Sequence, residues 1–186
     1  MNDVIDFDTI DEHGPQTYRG TYEMNATELA RPDVDGVGAV TIEVTADKGY
    51  QPGEYVADGG VTFSADLTCS RCAEPYPFAN TSPFHVRFLP RPEASRENEE
   101  VEITDKEELD VEFYSERTIP LRELALEQVQ LSIPMKPLCD ESCLGLCPTC
   151  GANRLREKCS CDESIVDERW GALKDLRQEL AKKKNV

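Results

Sequence analysis

Eight cysteines stand at positions 69, 72, 139, 143, 147, 150, 159 and 161, and they are the side chains of this sequence best suited to chemistry. Cys147-Pro-Thr-Cys150-Gly151 is the sharpest local signal. A Cys-x-x-Cys followed by glycine lets backbone amides turn toward the sulfurs while both thiolates meet one cation. Cys159-Ser-Cys161 supplies two more thiolates within the same short segment. Four soft sulfurs suit tetrahedral zinc at about 2.3 Å and leave no position for water, which defines a structural type of site. The other four, Cys69, Cys72, Cys139 and Cys143, can form a second zinc site across a 66-residue gap. Closing that gap instead of the 8-residue gap between Cys150 and Cys159 costs about 2 kcal/mol more, against about 10–16 kcal/mol from structural zinc. A wholly local site of Cys139, Cys143, Cys147 and Cys150 stays open, as do reduced structural cysteines and a redox pair at Cys69 and Cys72. That pair follows a strand pattern and opens no helix, so a lowered thiol pKa has no evident source.

These cysteines need elements to hold them. Short alternating stretches at 16–22, 38–45, 55–67 and 78–89 predict antiparallel strands, with Val61, Phe63, Ala65 and Leu67 on one face. Asp35-Gly36, Lys48-Gly49, Pro52-Gly53 and Asp58-Gly59-Gly60 read as turns between them. Residues 109–114, alternating Leu109, Val111 and Phe113 against Asp110, Glu112 and Tyr114, predict one further strand. Thr118 is placed to cap a helix with Pro120 in its first turn, and Leu121, Leu124, Ala125, Val129 and Ser132 or Ile133 keep helical spacing until Pro134. Ser164-x-x-Asp167 opens a last amphipathic helix whose stripe is Val166, Trp170, Leu173, Leu176 and Leu180. The fold class is therefore α+β: an antiparallel sheet or partly closed barrel with a packed helix, a cysteine-rich zinc segment and a C-terminal helix. We expect an acidic α+β domain at 1–138, with an acidic loop near 93–108, and a zinc-binding segment with its amphipathic helix at 139–186.

The formal charge is -17 over 186 residues, which opposes a broad phosphate-binding surface. All of it lies before Cys139: residues 1–138 carry 11 basic and 28 acidic side chains, and 139–186 carry 9 of each. Residues 93–116 hold 11 acids against Arg96 and Lys106, a run expected to stay solvated and, secondarily, to meet a basic partner. Arg154, Arg156 and Lys158 between ligand cysteines, with Lys182, Lys183 and Lys184 at the tail, leave a limited RNA contact open. No apolar run approaches a membrane span, and the first ten residues lack a secretion pattern. We therefore expect a cytoplasmic protein whose thiols stay reduced. His13 and His85 are the only histidines, and neither sits in a hydrolytic zinc motif. No phosphate loop, nucleophile elbow or dinucleotide fingerprint is present in the sequence, so the expectation is a non-enzyme with no small-molecule substrate.

The strings Leu67-Thr-Cys-Ser-Arg-Cys72, Pro137-Leu-Cys-Asp-Glu-Ser-Cys-Leu-Gly-Leu-Cys-Pro-Thr-Cys-Gly-Ala-Asn153, Cys159-Ser-Cys161 and Asp167-Glu-Arg-Trp-Gly-Ala-Leu173 together resemble the YceD family of large ribosomal RNA subunit accumulation proteins. The middle string anchors the resemblance. Asp167-Glu168-Arg169 departs from the family's Asp-Pro-Arg and weakens only the predicted helix start. The resemblance implies a ribosome biogenesis factor supporting accumulation of large-subunit (23S-type) ribosomal RNA, with the large-subunit precursor or basic ribosomal proteins as partners. It imports no mechanism, since accumulation is a phenotype. The competing readings are a zinc module that binds RNA directly through its basic C-terminal segment, and a thiol redox switch or zinc-dependent enzyme.

Overall fold

Strands form here because apolar residues recur at every second position between turn-forming residues. The computed structural model describes residues 3–91 and 111–161. In chain order it contains β1 (Val4–Asp6), α1 (Phe7–His13), β2 (Gln16–Tyr22), a 3-10 turn (Ala26–Leu29), β3 (Val34–Val37), β4 (Val40–Lys48), β5 (Tyr55–Thr68), β6 (Pro75–Pro90), β7 (Val111–Tyr114), β8 (Thr118–Pro120) and α2 (Leu121–Ser132). The chain divides into two compact units, Met1–Cys143 and Leu144–Val186. The fold is α+β, as the sequence predicts.

The first unit is built on an open sheet ordered β2-β4-β5-β6-β7, with β3 pairing β5 off that path. The expected face of β5 is buried: Val61, Phe63, Ala65 and Leu67 are all at most 5% exposed. Val40, Ile42, Val44 and Ala46 of β4 lie in the same core, with Leu121, Leu124, Ala125 and Val129 of α2. Each pairing is antiparallel except β6 with β7, which run parallel from Arg87–Val111 to Pro90–Tyr114. β1 and β8 make a separate two-stranded ladder.

Several local expectations change. Asp58-Gly59-Gly60 is no turn but the middle of β5, opposite Glu43–Thr45 on one side and Pro83–His85 on the other. A Cβ at Gly59 would lie 2.5 Å from the Glu43 carbonyl oxygen and 2.9 Å from the Phe84 ring, so this glycine marks a close strand approach. Asp35-Gly36 likewise lies within β3, at a register shift against β5. Thr118 belongs to β8, and Pro120 is the N-cap of α2 with no side-chain cap bond. α1 is an element the sequence analysis missed. It is capped by Asp6, which accepts from the Asp8 amide at 2.9 Å and the Thr9 hydroxyl at 3.0 Å.

β7 turns Tyr114 inward and leaves Phe113 40% exposed. The cause is an aromatic cluster: Phe7 stacks on Tyr55 at 4.0 Å and meets Tyr114 edge-on at 4.8 Å, while the Tyr114 hydroxyl donates to the Gly53 carbonyl at 2.8 Å. With Tyr114 on the core side, Glu112 shares that side by strand parity. The expected helix after Ser164, the acidic loop near 93–108 and Leu109–Asp110 of the expected strand lie outside the described residues.

Candidate metal centres

β5 ends at Thr68 and β6 begins at Pro75, and the connection between them carries Cys69 and Cys72. The Cys69 carbonyl accepts from the Ala73 amide at 2.9 Å, and the Cys69 amide donates to the Glu74 carbonyl at 2.9 Å. The second unit repeats this pattern. The Cys147 carbonyl accepts from the Gly151 amide at 2.8 Å, and the Cys147 amide donates to the Ala152 carbonyl at 2.8 Å. In both turns the residue after the second cysteine is left-handed, Ala73 with φ 56° and Gly151 with φ 75°. Glycine accepts that conformation freely, whereas alanine carries a steric cost. The two Cys-x-x-Cys segments are thus the same knuckle, and the glycine signal identified one of them while missing the other.

The eight sulfurs form two groups: Cys69, Cys72, Cys139 and Cys143 in the first unit, and Cys147, Cys150, Cys159 and Cys161 in the second. Within each group the sulfurs all lie within 4.8 Å of one another. The grouping matches the long-range partition of the sequence analysis and not the wholly local one. Cys69 and Cys143 sulfurs are 3.9 Å apart, and Cys72 and Cys139 sulfurs 3.7 Å. A tetrahedron with metal–sulfur bonds of about 2.3 Å has edges of about 3.8 Å, and a disulfide needs about 2.05 Å. All eight are free thiols, and each set of four is spaced to hold one ion.

Cys139 and Cys143 reach the β5–β6 knuckle through backbone contacts. The Ser70 amide donates to the Pro137 carbonyl at 2.8 Å. Arg71 donates to the carbonyls of Glu141 and Cys143 at 3.0 and 2.9 Å, and Cys143 N donates to the Asp140 carbonyl at 3.0 Å. Arg71 thus ties the loop that brings Cys143 in. Cys69, Cys72 and Cys143 are at most 3% exposed.

The thiols are electrostatically poised. Burial opposes ionisation of Cys69, but the amides of Cys139, Cys72 and Arg71 outweigh it and bring that thiol down to about 6. Burial, then hydrogen bonding with Cys69, Cys72 and Cys143, pushes Cys139 up to about 12. In the second group the amides of Cys150 and Thr149 lower Cys147 to about 6, while hydrogen bonding with Cys150, then burial, pushes Cys161 up to about 12. Four sulfurs this close ionise together only around a cation, and their number and softness fit zinc. Each set would hold one ion with every tetrahedral position filled by protein.

Of the basic residues proposed for RNA contact, Arg156 and Lys158 are exposed and Arg154 is half-buried, all between Cys150 and Cys159. Leu144, Leu146 and Leu155 of the same unit are also exposed. Lys182, Lys183 and Lys184 lie outside the described residues.

Fold and site define an α+β protein with two four-cysteine centres compatible with zinc. Its family is shown by comparison: the chain belongs to the family described as large ribosomal RNA subunit accumulation protein YceD, whose model matches residues 57–177. That span begins within β5 and takes in all eight cysteines. The chain is 36% identical over 58 residues to the chloroplastic large ribosomal RNA subunit accumulation protein YCED homolog 1 of Arabidopsis thaliana, covering 31% of this chain and 18% of the relative. It is 30% identical over 112 residues to uncharacterized proteins of Mycobacterium bovis and Mycobacterium tuberculosis, covering 58% of this chain and 48% of each relative. The chain thus spans less than half the length of these curated relatives. No solved structure matches it.

Proposed function

We propose that this protein is a non-catalytic ribosome biogenesis factor that supports the processing, stability or accumulation of large-subunit (23S-type) ribosomal RNA in the cytoplasm, chiefly through protein contacts. The observation that carries the reading is the family match across all eight cysteines, since the family is described by large ribosomal RNA accumulation. The sulfur sets support a structural role for zinc, because four protein thiolates fill a tetrahedral ion and leave no site for a reacting water. In this reading Cys69, Cys72, Cys139 and Cys143 hold one zinc and Cys147, Cys150, Cys159 and Cys161 the other. The acidic part, 1–138, supplies the surface for basic ribosomal proteins, and the balanced part, 139–186, the zinc segment and amphipathic helix.

A second reading, direct RNA contact, is favoured by the exposure of Arg156 and Lys158 beside the second sulfur set. Affinity purification of the tagged chain from its own cells, with and without nuclease, separates the two. Large-subunit proteins that survive nuclease support protein-mediated recruitment. Partners lost with nuclease, together with steeply salt-dependent RNA binding abolished by neutralising Arg154, Arg156, Lys158 and Lys182 to Lys184, support direct contact. Enrichment no greater than that of an equally acidic control contradicts both.

A further inference from the structure

A groove of about 390 Å³ runs between β6, the start of β7 and the C-terminal half of α2. Phe84, Val86, Val111 and Leu131 give it apolar walls, and Leu131 is 73% exposed at its mouth. Beside the groove, the edge of β6 from Ser82 to Val86 is paired with β5 on one side and, among the described residues, with no strand on the other. Pro83 on that edge discourages addition of a further strand, so the groove is read by side chains.

Two kinds of polar group line the groove, an amide and a set of carboxylates. Gln128 occupies the buried stripe of α2, between Leu124, Ala125 and Val129, and is only 7% exposed, yet it lines the groove. Its side-chain amide makes no hydrogen bond among the described residues, and it opens onto the groove rather than being a sealed, unpaired group. Glu112 and Glu127 line the same groove, and Glu123 lies one helical turn from Glu127. Burial, then repulsion from Glu127 and Glu123, raises the Glu112 carboxyl above its ordinary range. Among the described residues none of the three has a cationic partner. The cations on the neighbouring elements are engaged elsewhere, Arg87 with Glu54 and Arg122 with Glu28. Nor do these carboxylates converge as the sulfurs do; the two cysteine sets alone meet that geometry among the described residues.

We propose that this groove docks a lysine- or arginine-bearing extended segment of a partner protein, with apolar residues of that segment against Phe84, Val111 and Leu131 and its cation between Glu112 and Glu127. Charge complementarity selects this occupant. Nucleic acid is repelled by the carboxylates, and the chain's own segment before β7 carries nine acids over 93–110, the same sign as the groove. The Gln128 amide meets a main-chain group of the guest. The proposal stands on the groove and does not depend on the ribosomal reading.

The probe is a blocked peptide of about twelve residues alternating lysine and valine, titrated into the full chain at about 0.05 M salt, where pairing is least screened. A second peptide carries glutamine in place of lysine. We expect the lysine peptide to bind at least about tenfold more tightly, and Glu112→Gln/Glu127→Gln to remove that advantage. Glu43→Gln, on β4, leaves it unchanged. Leu131→Lys, an exposed change that places a competing cation at the mouth, also weakens the lysine peptide and keeps the test decisive should the double variant fold poorly. Amide shifts on binding should centre on Ser82 to Val86 and Val111. Equal binding of the two peptides, undiminished binding by Leu131→Lys, or shifts centred elsewhere would overturn the proposal.

Discussion

With an ion bound by the first set, loss of one of its sulfurs should destabilise the sheet unit through the long loop that such an ion would close. Cys72 and Cys139 are 67 positions apart, and a cross-link closing a loop of that length removes about 4.4 kcal/mol of unfolded-chain entropy at 25 °C. Cys150 and Cys159 of the second set close a loop of nine positions, for which the same relation gives about 2.6 kcal/mol. Each kcal/mol is worth about 2–4 °C in a domain of 150 or more residues. Cys143→Ser in the zinc-loaded protein is therefore expected to lower the midpoint of the sheet unit by about 10–15 °C. The near-ultraviolet signal of the tyrosines beside Phe7 reports that unit, since Tyr55 and Tyr114 belong to its core. Cys159→Ser, on the shorter loop, should shift the midpoint by about six tenths as much. A Cys143→Ser midpoint within about 3 °C of the parent, or equal shifts for the two variants, would refute the reasoning that an ion spans the long loop.

Other outcomes follow from single residues. Ala73→Gly is expected to raise stability by about 1 kcal/mol, because it relieves a left-handed alanine in the first knuckle; a denaturant midpoint unchanged or lowered would contradict this. Arg31 donates to Asp33 at 3.0 Å and to the carbonyls of Ile133 and Pro134 at 2.9 and 2.7 Å, tying the exit of α2 to the segment before β3. Arg31→Gln should cost about 2 kcal/mol at neutral pH. Hydrogen bonding from Arg31 lowers the Asp33 carboxyl, so its stabilisation is full above the unfolded carboxyl range and is lost as pH falls through the folded value. The stability gap between parent and Arg31→Gln should accordingly narrow in acid, as urea titrations at several pH values would show. Glu112 has the opposite sign: its raised carboxyl subtracts stability as pH rises past the unfolded range. Glu112→Gln should therefore gain stability at neutral pH and lose that gain in acid. Gly59→Ala should cost several kcal/mol or prevent folding, by forcing β4 and β5 apart against a 2.5 Å contact.

Much of the sheet was legible because strand burial is written with period two. Gln16–Tyr22 and Tyr55–Thr68 fall within a residue of their sequence patterns. What failed was glycine: Asp58-Gly59-Gly60 has turn composition, but Gly59 answers to the approach of Glu43 and Phe84, a tertiary demand that leaves no local trace. α1 was too short for its periodicity to show, although Asp6-x-x-Thr9 contains its cap. The grouping of the sulfurs was legible only in part: spacing and chain order offered the long-range partition but left the wholly local one open. The likeness of the two knuckles was not, because alanine stands at position 73 where glycine stands at 151. Gln128 drew no notice in the sequence, and Glu112 was read only as the polar side of a strand and one acid of a solvated run. Their setting depends on the inward turn of Tyr114 and on which face of α2 meets the sheet.

The central claim is that each sulfur set holds one zinc ion. Native mass spectrometry of the full chain purified without added metal, joined to X-ray absorption at the zinc edge, tests it directly. The account expects two zinc ions per chain, each with four sulfur neighbours at about 2.3 Å. A chain carrying no zinc, a single ion shared among the eight cysteines, or nitrogen and oxygen neighbours in the absorption spectrum would contradict it.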